Sequence, residues 1–275
     1  MQIVTEALPL QTETADNTPA FLKGYLHEPD PEIERDQYPA IVICPGGSFT
    51  HIPEHQAETL AMAFYNQGFQ AFYLRYHFID EQTPLFPVPF IDLADAMKAV
   101  RRNSDDWHVD AEHVAVSGFS VGGQIAAVYN GSWMREWLLK ATQATKEELQ
   151  PNAVVLGYPV IRLDAGFPKD DTLTKALTPD VEEFAADMLV NADSQPTFVW
   201  GTADDTVVPA KNGLVYVEAL QEAGIPLEYH LFAHGPHGMA LATRQTASKP
   251  SEKSAHVAHW FPLCIEWLNQ QFDLN

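Results

Sequence analysis

Ser120 stands between Gly118 and Gly122, shortly after an apolar run that ends at Val116 and directly before the small-residue stretch Gly123–Val128. A strand, a Gly-x-Ser-x-Gly turn and a helix in that order place a hydroxyl on a tight turn at a strand tip. The flanking glycines remove side chains that would strike the neighbouring strand and helix. The helix behind the serine offers free N–H groups and the positive end of its dipole to a developing negative charge. A serine hydroxyl is a poor nucleophile alone, so it needs a base for its proton and a third group to orient that base. Both occur downstream. The run Pro196–Trp200 opens into Gly201–Pro209, where Asp204 and Asp205 are adjacent. The run Leu227–Phe232 opens into Ala233-His234-Gly235-Pro236-His237-Gly238-Met239. Either carboxylate and either imidazole satisfies the order serine, acid, histidine, because geometry and not adjacency fixes such a constellation. Upstream, Ala40–Cys44 leads into Pro45-Gly46-Gly47-Ser48. The backbone N–H of Gly47 or Ser48, with that of Val121 just after the serine, is the expected pair of donors to an oxyanion.

These groups can meet only at one edge of one sheet. Apolar runs suited to buried strands recur at Phe21–Leu26, Ala40–Cys44, Gln70–Arg75, His113–Ser117, Ala153–Leu156, Pro196–Trp200 and Leu227–Phe232. Helical stretches lie between them, at Glu54–Gln67, Phe90–Asn103, Val121–Tyr129, Lys211–Ala223 and Ser254–Phe272. In Phe90–Asn103 the stripe Ile91, Leu93, Ala94, Met97 and Val100 marks the apolar face. Gly224 followed by Pro226 stops the helix from Lys211. This alternation predicts an α/β fold: a mostly parallel central sheet flanked by helices on both faces, in one domain over 1–275. Reactive groups then gather at the carboxyl ends of strands, where every candidate above falls. Two long irregular stretches, about 76–89 and 160–195, read either as pocket walls or as cover for the sheet. Phe49, Phe119 and Tyr158 follow site-bearing strands and either line the pocket or pack in the core. His51 is a pocket-rim candidate just after the oxyanion loop.

Composition narrows the partners. The formal net charge is −21, which repels nucleic acid and anionic membrane surfaces. The first residues carry neither a basic region nor an apolar run of the signal-peptide kind, and no stretch of eighteen apolar residues occurs. Cys44 and Cys264 lie far apart and in apolar settings, which fits buried free thiols in a reducing cytoplasm. The histidines show no His-x-x-x-His with a nearby carboxylate on a convincing helix, and neither a Gly-x-Gly-x-x-Gly nor a phosphate loop occurs, so no cofactor and no metal are expected. These features leave a small-molecule substrate as the expected partner; a homo-oligomer stays open.

Five segments in register resemble an α/β-hydrolase of the carboxylesterase group, in its acetyl-xylan-esterase-like branch. They are Pro45–Ser48, the proline-containing helix entry at Asp92, Gly118–Gly123, Gly201–Pro209 and His234–Met239. Together they cover nearly the whole chain. The resemblance implies Ser120 as nucleophile and His237 as base, in the pattern His-Gly-x-His-Gly. It implies Asp205 as the acid, because Asp-x-Val-Val-Pro starts there and Asp204 is one residue out of register. Relatives often carry glycine where Ser48 stands, alanine where Val121 stands, and histidine where Gly201 stands. The two larger side chains beside the oxyanion loop favour short acyl groups such as acetyl. The resemblance therefore implies a cytoplasmic serine esterase for acetyl-type esters, with sugar esters among the candidate substrates. Two alternatives share the fold: a small peptidase similar to the prolyl-oligopeptidase catalytic domain, and a binding protein with a silent site.

Overall fold

The structure is a computed structural model and describes residues 1–9, 19–32 and 35–274. In chain order the elements are β1 (Gln2–Ala7), β2 (Phe21–Leu26), β3 (Tyr38–Cys44), α1 (Glu54–Tyr65), β4 (Gln70–Arg75), α2 (Val88–Arg102), β5 (Val109–Phe119), α3 (Val121–Asn130), α4 (Glu136–Thr142), α5 (Lys146–Leu149), β6 (Ala153–Gly157), α6 (Asp171–Leu177), α7 (Ala186–Leu189), β7 (Thr197–Thr202), α8 (Lys211–Glu222), β8 (Leu227–Phe232) and α9 (Trp260–Gln271). One eight-stranded sheet runs in the order β1-β2-β4-β3-β5-β6-β7-β8. β1 pairs antiparallel with β2, and β2 antiparallel with β4; every other pairing is parallel.

The central strands read as continuous apolar runs because both their faces are covered. Ala40 to Cys44 is fully buried, as is Ala153 to Leu156. Right-handed crossovers decide which helix covers which face. The step from β3 to β4 runs one way along the sheet, while the steps from β4 to β5 and onward run the other way. α1 therefore lies on the opposite face from α2, α3 and α8. Phe64 of α1 packs edge-on against Phe261 of α9, 5.1 Å between centroids, so α9 shares the α1 face.

The structure adds several elements to the sequence reading, the helices α4 and α5 among them. β1 is an edge strand with exposed side chains, so it carries no apolar alternation and is held by its ladder to β2. The last helix starts at Trp260, because Val257–His259 is a short 3₁₀ turn. The stretch 160–195 contains the short helices α6 and α7. It also pairs with the other long stretch: Leu85 N–H donates to Ala176 O at 3.0 Å and Phe86 N–H to Leu177 O at 2.9 Å. No helix among the described residues is long and apolar enough to cross a membrane.

Candidate active site

Ser120 occupies the turn from β5 into α3 with φ 56° and ψ −122°, a left-handed backbone that an ordinary side chain avoids. Its surroundings hold it there. Ser120 N–H donates to Gly157 O at 3.1 Å, and Ser120 O accepts from Gly123 N at 2.9 Å and Val160 N at 2.9 Å. The strain is thus fixed by both neighbouring elements, as is usual at reactive positions. The flanking glycines are sterically required. A Cβ on Gly118 would lie 2.2 Å from Gly122 O, and one on Gly122 would lie 2.0 Å from Cys44 O.

The Ser120 Oγ lies 2.8 Å from His237 Nε2. His237 Nδ1 lies 2.7 Å from Asp205 Oδ2. Asp205 Oδ1 accepts from Val207 N at 2.8 Å and Val208 N at 3.0 Å, so the loop after β7 aims the carboxylate and leaves one oxygen for the imidazole. Ser120 and Asp205 are buried at 9% and 8% exposure, which keeps bulk water from weakening these contacts. His237 follows β8 in a loop nailed down on both sides. The Tyr158 hydroxyl accepts from Ala240 N at 3.1 Å, Trp260 Nε1 donates to Ala240 O at 2.8 Å, and the Thr246 hydroxyl bridges Leu241 N and Met239 O. The Tyr158 ring also packs edge-on against the His237 imidazole, with centroids 5.0 Å apart. Burial pushes the Tyr158 phenol well above its ordinary pKa, so it stays a neutral partner of that amide.

Asp204 and His234, the other acid and imidazole in these loops, find each other. His234 Nδ1 lies 3.0 Å from Asp204 Oδ2, and Gly235 N–H donates to Asp204 Oδ1 at 2.8 Å. The Gly235 N–H and His234 hold the Asp204 carboxyl below the usual range. Both side chains face solvent, 87% exposed for His234 and 51% for Asp204. They form a clasp between the two loops, outside the Ser120–His237–Asp205 line. Thr202 Oγ1 reinforces it by donating to Gly235 O at 2.7 Å.

The loop after β3 approaches Ser120 from the other side. A Cβ on Gly46 would lie 3.1 Å from Ser120 Cβ. Tyr76 sets the orientation of this loop from beneath, donating its hydroxyl to Pro45 O at 2.9 Å and lying 3.4 Å from Gly46 O. In a trans peptide the following N–H points opposite to the carbonyl, so the Gly46 and Gly47 amides turn away from Tyr76. Gly47 has φ +125°, and a Cβ there would lie 1.8 Å from His51 O, so only glycine fits. The Gly47 carbonyl faces into the turn, where Thr50 N reaches it at 3.0 Å, which points the Ser48 N–H outward. Val121 begins α3, so its N–H has no helical acceptor a turn earlier.

The remaining candidates divide. Phe49 is fully buried and packs edge-on against Phe86 at 5.4 Å and Tyr76 at 6.2 Å. Phe119 is also buried, against Tyr158 and Trp260. His51 is exposed and pairs with the Thr50 hydroxyl at 3.0 Å. Cys44 and Cys264 are buried free thiols, pushed up by burial and so unreactive. No group of three or more metal-ligating side chains occurs among the described residues.

Three bracing residues carry no signal in the local sequence. Tyr76 orients the Gly46–Gly47 loop. Asn212 Oδ1 takes the Ile161 and Arg162 amides at 2.9 and 3.1 Å, fixing the stretch that touches Ser120 O through Val160. Gln56 Nε2 lies 3.4 Å from both Gly238 O and Thr246 O. Each acts across dozens of residues, so no local spacing marks it.

The family model described as BD-FAE matches residues 29–220. That stretch carries Gly46–Ser48, Ser120 and Asp205 and ends before His237. Among curated proteins, endo-1,4-beta-xylanase B of Butyrivibrio fibrisolvens is 31% identical over 232 residues, covering 80% of this chain and 35% of that protein. The chain thus matches only about a third of that relative's length. Among solved structures, the carboxylesterase Cest-2923 from Lactobacillus plantarum WCFS1 superposes with a TM-score of 0.90 at 32% identity, covering 98% of each chain. An acetyl ester-xyloside bifunctional hydrolase from Caldicellulosiruptor lactoaceticus superposes with a TM-score of 0.76 at 28% identity, covering 96% of each. The architecture these neighbours share with the chain is the α/β-hydrolase fold.

Proposed function

Because the chain belongs to the BD-FAE family, we propose that it is a carboxylic ester hydrolase that cleaves short-chain acyl esters through Ser120, His237 and Asp205. The observation that carries this reading is the unbroken line from Ser120 Oγ through His237 Nε2, at 2.8 Å, to Asp205 Oδ2, at 2.7 Å from Nδ1. The carboxylesterase activity in the name of the Lactobacillus plantarum neighbour supports it.

His237 takes the proton of Ser120 as Oγ attacks the ester carbonyl. Asp205 keeps the Nδ1 proton in place, which leaves Nε2 free to accept, and it stabilises the charged imidazole. The tetrahedral oxyanion is held by the N–H of Val121 and by Gly47 or Ser48. His237 then protonates the departing alcohol, and in the second half-reaction it activates water to release the acid. No step calls on a cofactor. Acetyl is the favoured acyl group, because Val121 and Ser48 stand where relatives carry smaller residues, and sugar esters are among the substrates. The cytoplasm fits two free thiols.

The test is an acyl-chain series from acetate to octanoate on simple esters, run on the wild type and on Ser120→Ala. The expected result is a maximum at acetate and a loss of about 10⁶ in kcat for the variant, since a triad fails as a unit. Near-normal turnover by Ser120→Ala defeats the proposal.

A further inference from the structure

Asp92 stands out in the sequence at a helix entry, and the reaction as written makes no use of it. It lies in α2, against His77 in the turn after β4, and both side chains are only 1% exposed. His77 N–H donates to Asp92 Oδ2 at 2.8 Å, and His77 Nδ1 lies 2.9 Å from each carboxylate oxygen. The next amide is held in the same way. Phe78 N–H donates to Glu81 Oε2 at 2.8 Å, and Glu81 also takes the Arg75 guanidinium, with Nη1 at 2.9 Å. Two carboxylates thus fix two successive peptide planes, 76–77 and 77–78. A buried carboxylate costs more than an apolar residue of its size, and among the described residues the bonds Asp92 gains come from His77. The turn so fixed grips the oxyanion loop twice. The Tyr76 hydroxyl donates to Pro45 O at 2.9 Å, and Ile79 N–H donates to Phe49 O at 2.9 Å. These two bonds bracket Gly46–Ser48, the segment that offers the oxyanion donor.

Resting on the esterase reading above, we infer that His77 and Asp92 are positioning residues for the oxyanion hole. Their bond sets the peptide plane after Tyr76, and Tyr76 and Ile79 pass that setting to Gly47 and Ser48. Neither residue touches substrate. The phenol is a long rigid lever, so a small turn of its backbone swings the hydroxyl off Pro45 O. An oxyanion donor helps only if it already points at the charge that forms. Loss of the pair therefore weakens binding of the transition state and leaves binding of the ester unchanged.

The experiment compares His77→Leu, His77→Asn and Tyr76→Phe with the wild type on methyl acetate. His77 Nε2 is buried with no partner among the described residues, so the ring is used at Nδ1 alone. An asparagine amide puts an N–H at that position, whereas leucine fills the space without a donor. kcat is taken per site titrated with a fluorophosphonate, so misfolded protein does not count. The second readout is the inhibition constant of trifluoroacetone. Ser120 Oγ adds to its carbonyl carbon and His237 takes the proton, which leaves an oxyanion in the hole. His77→Leu is expected to lose about thirtyfold in kcat and in ketone affinity with KM nearly unchanged, less than the roughly 10²–10³ lost when a donor is removed outright. Tyr76→Phe is expected to fall in both readouts, and His77→Asn to stay within about threefold of wild type. Wild-type kcat and ketone affinity in His77→Leu overturn the inference. So does a loss in His77→Asn as large as in His77→Leu, since that marks packing and not the bond. If His77→Leu does not fold, Tyr76→Phe decides, and unchanged values in both readouts overturn the inference. A wild type that does not hydrolyse methyl acetate overturns the esterase reading itself, and the inference with it.

Discussion

Exchanging the acid for its amide separates the two adjacent aspartates. In Asp205→Asn the side chain keeps its size. Val207 N and Val208 N both donate to Oδ1, at 2.8 and 3.0 Å, so the amide oxygen must stay at that position. The NH₂ then faces His237 Nδ1, where the carboxylate stood at 2.7 Å. Two donors cannot share that contact, so the imidazole changes tautomer and carries its proton on Nε2. There it points at Ser120 Oγ and cannot accept the serine proton. Loss of the correct tautomer costs about 10⁴ in kcat, or about 5 kcal/mol of barrier. Asp204→Asn meets no such constraint, because its partner is the exposed His234. Its kcat should stay within about tenfold of wild type, in line with the small worth of exposed ion pairs. The assay is initial-rate hydrolysis of methyl acetate at neutral pH, with the unfolding midpoint measured to show that both variants are folded. The reasoning fails if Asp205→Asn keeps more than about a tenth of wild-type kcat, or if Asp204→Asn shows the larger loss.

Two further outcomes follow from contacts around this site and at the sheet edge. Gly122→Ala places a methyl 2.0 Å from Cys44 O and 2.4 Å from Pro45 O, so the oxyanion loop or α3 must move. Urea denaturation should show a loss of about 3 kcal/mol or more, and an unchanged midpoint would contradict the close packing described. Glu58 accepts from Lys23 at 2.5 Å and from Tyr25 at 2.7 Å, and these bonds hold its carboxyl below the ordinary range. A depressed carboxyl stabilises the fold above its unfolded pKa of about 4.3, and that contribution disappears as pH falls through the folded value. With Glu58 37% exposed, solvent screening limits it to about 1 kcal/mol or less. Glu58→Gln should therefore be less stable than wild type at pH 7 and nearly equal to it at pH 3, by urea midpoints; an equal difference at both pH values refutes the assignment.

The parts of the molecule that were legible in the sequence are those whose cause is local. β2, β4 and β8 begin and end where their apolar runs do, and Ser120 is announced by glycines whose Cβ atoms would overlap the turn itself. Asp205 differs from Asp204 in sequence only by the register of the Asp-x-Val-Val-Pro pattern that the resemblance supplies, and the structure puts Asp205 in line with His237 through an Asx-type turn onto Val207 and Val208. β1 was illegible because an exposed edge strand is specified by its ladder and not by side-chain pattern. The bracing by Tyr76, Asn212 and Gln56 was illegible for a different reason. Each bond joins segments at least thirty residues apart, and only the packed sheet brings them together. Phe49 shows the limit from the other side. Its type and its place after a site-bearing strand suit a pocket wall as well as a core. The deciding facts, its contacts with Phe86 and Tyr76, belong to a stretch far along the chain.

The central claim is that the Ser120 oxygen is an activated nucleophile, and covalent trapping tests it most directly. Intact-protein mass measurement after treatment with a fluorophosphonate should show one added group per chain, mapped by peptide fragmentation to Ser120 and absent in Ser120→Ala. An unmodified wild type, or equal labelling of the alanine variant, would contradict it.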